Sequence, residues 1–179
     1  MNDTMIDTDQ DIPLSTLVER GGIYYELAGN SVETVIAELV RLIPLEGLEN
    51  YPCGALAGKP EGDFREALLK AALEREALMS TGIGRGVALP HPRNPMIQDT
   101  DKQFVAIGFP SAPVDWKALD GKPVHTVLLV VSASPKIHLH TLSKINFLCQ
   151  DDLFLSLLRA RASQGFIAGA IREAERTWQ

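Results

Sequence analysis

Two apolar runs of strand length lie in the second half of the chain and constrain its fold more than any other feature. They cover residues 104–109 and 124–131, and a turn-rich segment, 115–123, separates them. Uninterrupted apolar runs of this length are typical of strands that are buried on both faces of a sheet. A third β-prone run, 23–27, ends at a Gly-Asn pair. Helical patterns lie between and after these runs, so the sequence predicts an α/β fold in which helices cover both faces of a sheet and loops at one sheet edge hold the site.

The helical patterns begin with an amphipathic segment that Ser31 can cap and that Pro44 ends. Its apolar residues repeat at steps of three and four, and they are Val32, Val35, Ile36, Leu39, Val40 and Ile43. A second helix is predicted from Asp63, with Glu66 in a capping-box-like position, to about Met79. Its apolar side is predicted to carry Phe64, Leu68, Ala71 and Leu78. We expect both apolar stripes to face the core.

Three more helices are predicted in the C-terminal part of the chain. Ser134 and Pro135 open the first of them, which runs through Cys149. Its inward-facing side chains are predicted to be Leu139, Leu142 and Ile145. The other two helices are expected at about 153–161 and 165–178.

The length of 179 residues fits one domain. Residues 1–13 carry four aspartates and no Lys or Arg, so we predict a flexible acidic tail there and a single domain over 14–179. Residues 45–62 are rich in Gly and Pro and are predicted to form an irregular surface loop inserted into that domain.

Composition excludes several classes of function. The formal net charge is −6 and no run of Lys or Arg occurs, which argues against nucleic acid as a partner. The longest apolar stretch, 126–133, is far shorter than the roughly 20 residues that span a bilayer, and the N-terminus lacks a signal pattern. We therefore expect a cytoplasmic protein without membrane insertion. Cys53 and Cys149 have no metal-ligand spacing, so we expect reduced thiols and no metal site.

A histidine between two prolines, His91, is the strongest candidate for chemistry. Pro90 and Pro92 restrict the backbone on both sides of it and hold the imidazole in one direction. Since the reference pKa of histidine is about 6.5, a neutral ring nitrogen can attack phosphorus without a separate strong base. The positive charges of Arg75 and Arg93 could then neutralise the phosphoryl oxygens.

His91 ends an extended motif. Glu74-Arg75-Glu76 is followed by Ser-Thr-Gly-Ile-Gly-x-Gly-Val-Ala-Leu-Pro-His at 80–91. This pattern closely resembles the active-histidine motif of the fructose, mannitol and nitrogen-regulatory IIA family of the bacterial phosphotransferase system. Segment 114–124 is similar to the strand-linking segment of that family, and 138–145 to its second-histidine helix. The resemblance begins at about residue 14, extends to the C-terminus, and implies the mannitol-type IIA fold, a mixed sheet between two helical layers.

The resemblance also implies roles for three residues. His91 matches the phosphorylated histidine, His138 the second active-site histidine, and Arg75 the arginine that helps to hold the phosphoryl group. His138 is predicted in the first turn of its helix, where free amides and the helix dipole favour an anion. His140 lies about 200° further round that helix, so we expect it to be exposed and not catalytic.

Several other residues of the motif have two interpretations. Thr81 could donate a hydrogen bond to a bound phosphoryl group, or bond its own backbone as a turn residue. The glycines of 82–86 follow neither a dinucleotide nor a P-loop pattern, so a tight turn beside His91 is favoured over a nucleotide site. His125 begins a buried run and is interpreted as a structural histidine.

The function that the resemblance implies is a phosphocarrier that accepts a phosphoryl group on His91 from an HPr-like protein, without a cofactor. A regulatory target of the nitrogen branch is favoured as the next partner, because the chain shows neither a IIB-like domain nor a membrane segment. A sugar-specific IIA component that hands the group to a IIB cysteine is the alternative. Two further readings are a binding-only regulator of the same fold and a hydrolase with His91 as base, and the hydrolase needs a nucleophile and an orienting acid.

Overall fold

A mixed sheet forms the centre of the structure, a computed structural model that describes residues 12–45, Leu48 and residues 64–178. In chain order its strands are β1 (Ile23–Leu27), β2 (Gly82–Gly84), β3 (Val87–Ala88), β4 (Phe104–Pro110) and β5 (Thr126–Val131). Their order across the sheet is β1-β4-β5-β3-β2. The β1/β4 and β3/β5 pairs are parallel, whereas β4/β5 and β2/β3 are antiparallel.

Helices account for most of the other described residues. They are α1 (Leu14–Gly21), α2 (Val32–Leu42), α3 (Phe64–Leu78), α4 (Pro135–Leu148), α5 (Asp152–Arg159) and α6 (Gln164–Thr177), with a single 3₁₀ turn at Thr100–Lys102. The predicted cap of α2 is confirmed, because the Ser31 hydroxyl accepts from Thr34 N at 3.3 Å and Thr34 Oγ1 accepts from Ser31 N at 3.1 Å. Ser134 caps α4 by accepting from Ile137 N at 3.2 Å.

The core lies on both faces of the sheet. Alternate residues of β5 point to opposite sides: Val127, Leu129 and Val131 pack with the α2 and α3 face, and Leu128 and Val130 with the face covered by α1, α4, α5 and α6. Every residue of β4 and β5 is buried. The predicted α/β fold with helices on both faces is therefore confirmed.

Some sequence-based details were wrong. Leu139 was predicted to face inward but is 65% exposed, because the buried side of α4 is set by Thr141, Ile145 and Leu148, and Leu139 lies about 200° from Thr141. Leu78, the last residue of α3, is also 65% exposed. The buried small residue of α3 is Ala72 and not Ala71, since Ala72 continues the four-residue steps from Phe64 and Leu68.

Other predictions shifted slightly or lie outside the described residues. The last strand starts at Thr126, and Val124 forms an isolated bridge with Val114. The Asp63 cap, residues 1–11 of the acidic tail, Cys53 and most of the 45–62 loop lie outside the described residues. Among the helices that are described, none is long and apolar enough to cross a membrane.

Candidate active site

The carboxyl ends of two neighbouring parallel strands bring the two candidate histidines together. His91 lies three residues after β3, and His138 lies in the first turn of the helix that follows β5. The chain stays on the sheet beyond β3, because Val130 N donates to Pro90 O at 3.1 Å. The ring centroids of His91 and His138 are 4.8 Å apart at an interplanar angle of 53°. The structure thus brings the two predicted histidines together at one edge of the sheet.

The hydrogen bond of His91 fixes which ring nitrogen can act. His91 is 8% exposed, and its Nδ1 lies 2.6 Å from the carbonyl oxygen of Leu89. A carbonyl oxygen only accepts, so in the neutral ring the proton is on Nδ1 and the lone pair is on Nε2. The geometry leaves Nε2 as the ring nitrogen whose lone pair is available.

Four influences set the protonation of His91. Burial lowers its pKa most, while the hydrogen bond to the Leu89 carbonyl raises it. The positive charge of Arg75 lowers the pKa further, and the carboxylate of Glu76 raises it. The net direction is downward, so the neutral nucleophilic form predominates at neutral pH.

His138 is held neutral even more strongly. Burial, the neighbouring His91 and Arg75 together lower its pKa to about 4. Its backbone N donates to Ser134 O at 3.0 Å, which places the ring at the amino-terminal end of α4. A neutral ring there can donate a hydrogen bond to an anion without carrying a charge of its own.

Arg75 supplies positive charge to both rings from the end of α3. Its Nη1 donates to the carbonyl oxygen of Met79 at 2.8 Å, which anchors the side chain to the turn after the helix. Its charge reaches both His91 and His138, since it lowers the pKa of each. This arrangement favours an anion at the paired histidines.

Arg93 lies at a cavity that His138 also lines. It is exposed and, with Pro92, Met96, His138 and Leu139, it lines a cavity of about 250 Å³. Arg93 thus contributes a positive charge to the cavity that His138 also lines.

The hydroxyl of Thr81 has hydrogen-bond partners that the sequence did not predict. Its hydroxyl donates to Glu76 Oε2 at 2.5 Å and accepts from Trp116 Nε1 at 3.3 Å. The partners of the hydroxyl are therefore two side chains and not its own backbone. Its part in phosphoryl binding stays a prediction. The motif contains Glu76, but residue type and spacing did not single it out.

The glycine-rich turn packs beside His125 and not beside His91. A Cβ on Gly86, whose φ is +82°, would lie 2.2 Å from His125 Nε2. His125 precedes β5 and its Nδ1 lies 2.8 Å from Thr126 Oγ1, so it is at the opposite end of the strands from His91. The turn therefore supports the sheet, and His140 is exposed as expected.

The family model "Phosphoenolpyruvate-dependent sugar phosphotransferase system, EIIA 2" matches residues 17–173. The chain belongs to this EIIA 2 family. The predicted resemblance is thus confirmed. The family consists of components of the phosphotransferase system.

Relatives of two kinds are similar to this EIIA 2 chain. The nitrogen regulatory protein of Klebsiella oxytoca is 35% identical over 121 residues, which cover 66% of this chain and 74% of that protein. The fructose-specific EIIABC component of Bacillus subtilis is 27% identical over 157 residues, 86% of this chain but only 22% of that much longer protein.

Solved structures agree with the family. The nitrogen regulatory protein IIA-Ntr of Neisseria meningitidis superposes with a TM-score of 0.63 at 25% identity, covering 90% of this chain and 96% of that one. The Escherichia coli mannitol IIA structure gives a TM-score of 0.60 at 16% identity over 83% of this chain and 94% of that one. The predicted mannitol-type IIA fold is therefore confirmed.

Proposed function

We propose that this EIIA 2 chain carries a phosphoryl group on Nε2 of His91, which it accepts from the phosphohistidine of an HPr-like protein. The observation that carries the proposal is the hydrogen bond from Nδ1 to the Leu89 carbonyl, because it leaves the lone pair on Nε2 of a ring that lies 4.8 Å from His138. The Nε2 lone pair forms the new P–N bond while the P–N bond of the donor breaks and returns its electron pair to the donor imidazole.

The charges around the ring suit both sides of this transfer. The phosphorylated ring keeps its Nδ1 proton and gains positive character, which the Leu89 carbonyl and the Glu76 carboxylate stabilise as they stabilise protonated His91. The phosphoryl oxygens are anionic and are attracted by Arg75, by the ring N–H of His138 and by Arg93 at the rim. In this proposal Arg75 and His138 act on the phosphoryl group, and Arg93 acts on the partner or on the incoming group.

We favour a regulatory role of the nitrogen-branch type, in the cytoplasm, with an HPr-like donor and a regulatory target protein. Several relatives are named nitrogen regulatory protein, at 28 to 35% identity. Transfer to a IIB cysteine in fructose or mannitol uptake is the second candidate, because fructose-specific EIIA components are similar to the same region.

The two other readings have less support. A binding-only regulator has no need of two neutral imidazoles held side by side. A hydrolase needs a carboxylate to orient the base, whereas Nδ1 of His91 bonds a backbone carbonyl.

Phosphoryl uptake tests the proposal. The protein is incubated with phosphoenolpyruvate, the first enzyme of the phosphotransferase system, and either HPr or its nitrogen-branch counterpart. We expect an acid-labile mass increase of one phosphoryl group that His91→Ala abolishes and His140→Ala retains. The faster donor separates sugar uptake from regulation, and no labelling by either donor would contradict the phosphocarrier role.

A further inference from the structure

Three consecutive hydrogen bonds connect Glu76 to the ring of His91. Thr81 N donates to Glu76 Oε1 at 2.8 Å, and Leu89 N donates to Thr81 O at 3.0 Å. The Leu89 carbonyl then accepts from His91 Nδ1 at 2.6 Å. The path leads from the end of α3, across the residues that flank β2 and β3, to the ring nitrogen Nδ1 of His91. The proton on that nitrogen decides which side of the imidazole carries the lone pair.

The first link of this path requires a carboxylate. Glu76 accepts from Thr81 twice, since Oε1 takes the backbone N–H and Oε2 takes the hydroxyl. Thr81 is 5% exposed, and its Oγ1 also accepts from Nε1 of the buried Trp116. A glutamine at position 76 has one acceptor atom where two are needed, so it would leave a buried hydroxyl proton unpaired.

We propose that Glu76 is a positioning residue for His91. By fixing Thr81 it fixes Leu89, so that the Leu89 carbonyl keeps the His91 proton on Nδ1 and leaves Nε2 free. The proposal rests on the proposed function of His91, and it also accounts for the Thr81 hydroxyl, which faces Glu76 instead of the phosphoryl site.

The adjacent residues Arg75 and Glu76 then have complementary tasks. The charged and titratable groups that act on His91 are Arg75 and Glu76 from α3 and His138 from α4. Arg75 favours the anionic phosphoryl group, whereas Glu76 favours the proton and the positive character of the ring that carries it.

The tautomer of His91 tests the proposal without any phosphoryl donor. In protein labelled with ¹⁵N-histidine, the nitrogen chemical shifts distinguish an Nδ1–H ring from an Nε2–H ring. We expect wild-type His91 to be in the Nδ1–H form at neutral pH and Glu76→Gln to populate the Nε2–H form, which free imidazole side chains prefer. Glu74→Gln is the matched control, because Glu74 lies on the same helix, is largely exposed and pairs with Lys70 at 3.9 Å.

Kinetics separate positioning from donor binding. We expect Glu76→Gln to slow phosphoryl uptake at saturating donor by roughly tenfold or more, while the half-saturating donor concentration changes by less than about twofold. Glu74→Gln, the matched control, should take up the phosphoryl group at the wild-type rate. The double variant Glu76→Gln/Thr81→Val should take up the phosphoryl group only slightly more slowly than the slower of the two single variants, because both substitutions break the same hydrogen-bonded path.

Several outcomes would overturn the proposal. One is a folded Glu76→Gln protein, checked by Trp116 fluorescence, with the wild-type tautomer of His91. Another is a double variant whose rate loss is the full product of the two single losses. If wild type takes no phosphoryl group from any donor, the function of His91 fails, but the tautomer comparison still decides whether Glu76 positions the ring.

Discussion

The imidazole rings of His91 and His138 lie 4.8 Å apart because β3 and β5, the strands that precede them, are parallel neighbours in the sheet. Both rings have lowered pKa values, and for both the largest cause is burial. Two neutral imidazoles beside the positive charge of Arg75 are what the proposed phosphocarrier role requires, since a phosphoryl group is anionic and its acceptor nitrogen must be unprotonated.

The pKa of about 4 for His138 predicts a pH-dependent contribution to stability. In the unfolded chain the ring returns to a pKa of about 6.5, so between these two values the unfolded state binds the additional proton. Stability therefore falls as the pH is lowered through that window. Because the ring is only partly buried, we expect a loss on the order of 1 kcal/mol by about pH 5.

Urea unfolding of wild type and His138→Gln at neutral pH and at about pH 5 measures this contribution. The loss should be smaller in His138→Gln than in wild type. Equal losses in wild type and His138→Gln would contradict the lowered pKa.

Removal of the Arg75 charge should raise the pKa of both histidines. Its guanidinium lowers each of them, so Arg75→Gln removes an unfavourable interaction with the protonated rings. Histidine titration by NMR should show both pKa values moving upward. Arg93→Gln is the control and should leave them in place, and an Arg75→Gln titration identical to wild type would argue against the electrostatic role of Arg75.

Gly86 should tolerate no side chain. Its φ of +82° lies in the left-handed region, and a Cβ would come 2.2 Å from His125 Nε2. We expect Gly86→Ala to destabilise the protein by about 2 kcal/mol or more. Gly169→Ala, in open space on α6, should instead stabilise it by roughly 0.5 kcal/mol. Thermal unfolding of the two variants measures whether Gly86→Ala lowers the stability and Gly169→Ala raises it. A Gly86→Ala protein as stable as wild type would show that the turn relaxes.

Cys149 should resist modification in the folded protein. Burial raises the pKa of its thiol to about 12, so almost no thiolate exists at neutral pH. In a Cys53→Ser background, iodoacetamide should label Cys149 only after denaturation. Rapid labelling of the native protein would contradict the buried position.

The sequence predicted those helices and strands that are determined by residues close to one another in the chain. The Ser31 cap of α2 and the apolar runs of β4 and β5 follow from neighbouring residues, and the structure contains them. The start of α1 could not be predicted in this way. Leu14 N and the hydroxyl of Ser15 donate to the Glu175 carboxylate of α6, and that partner comes from the other end of the chain.

The sequence likewise predicted some parts of the site and not others. The motif and the resemblance singled out His91, His138 and Arg75, and the structure brings their charges and rings together. The hydrogen bond from the Thr81 hydroxyl to Glu76 depends on how the chain turns back after α3. The second hydrogen bond of this hydroxyl comes from Trp116, which lies in a separate segment. Residue types and spacing do not contain that geometry.

The most direct test of the phosphocarrier account is the position of the phosphoryl group on the ring. Protein labelled with ¹⁵N-histidine is phosphorylated through its donor and examined by NMR for coupling between phosphorus and each ring nitrogen. The account predicts coupling at Nε2 of His91, with Nδ1 still protonated. A phosphoryl group on Nδ1, or on a residue that survives in His91→Ala, would contradict it.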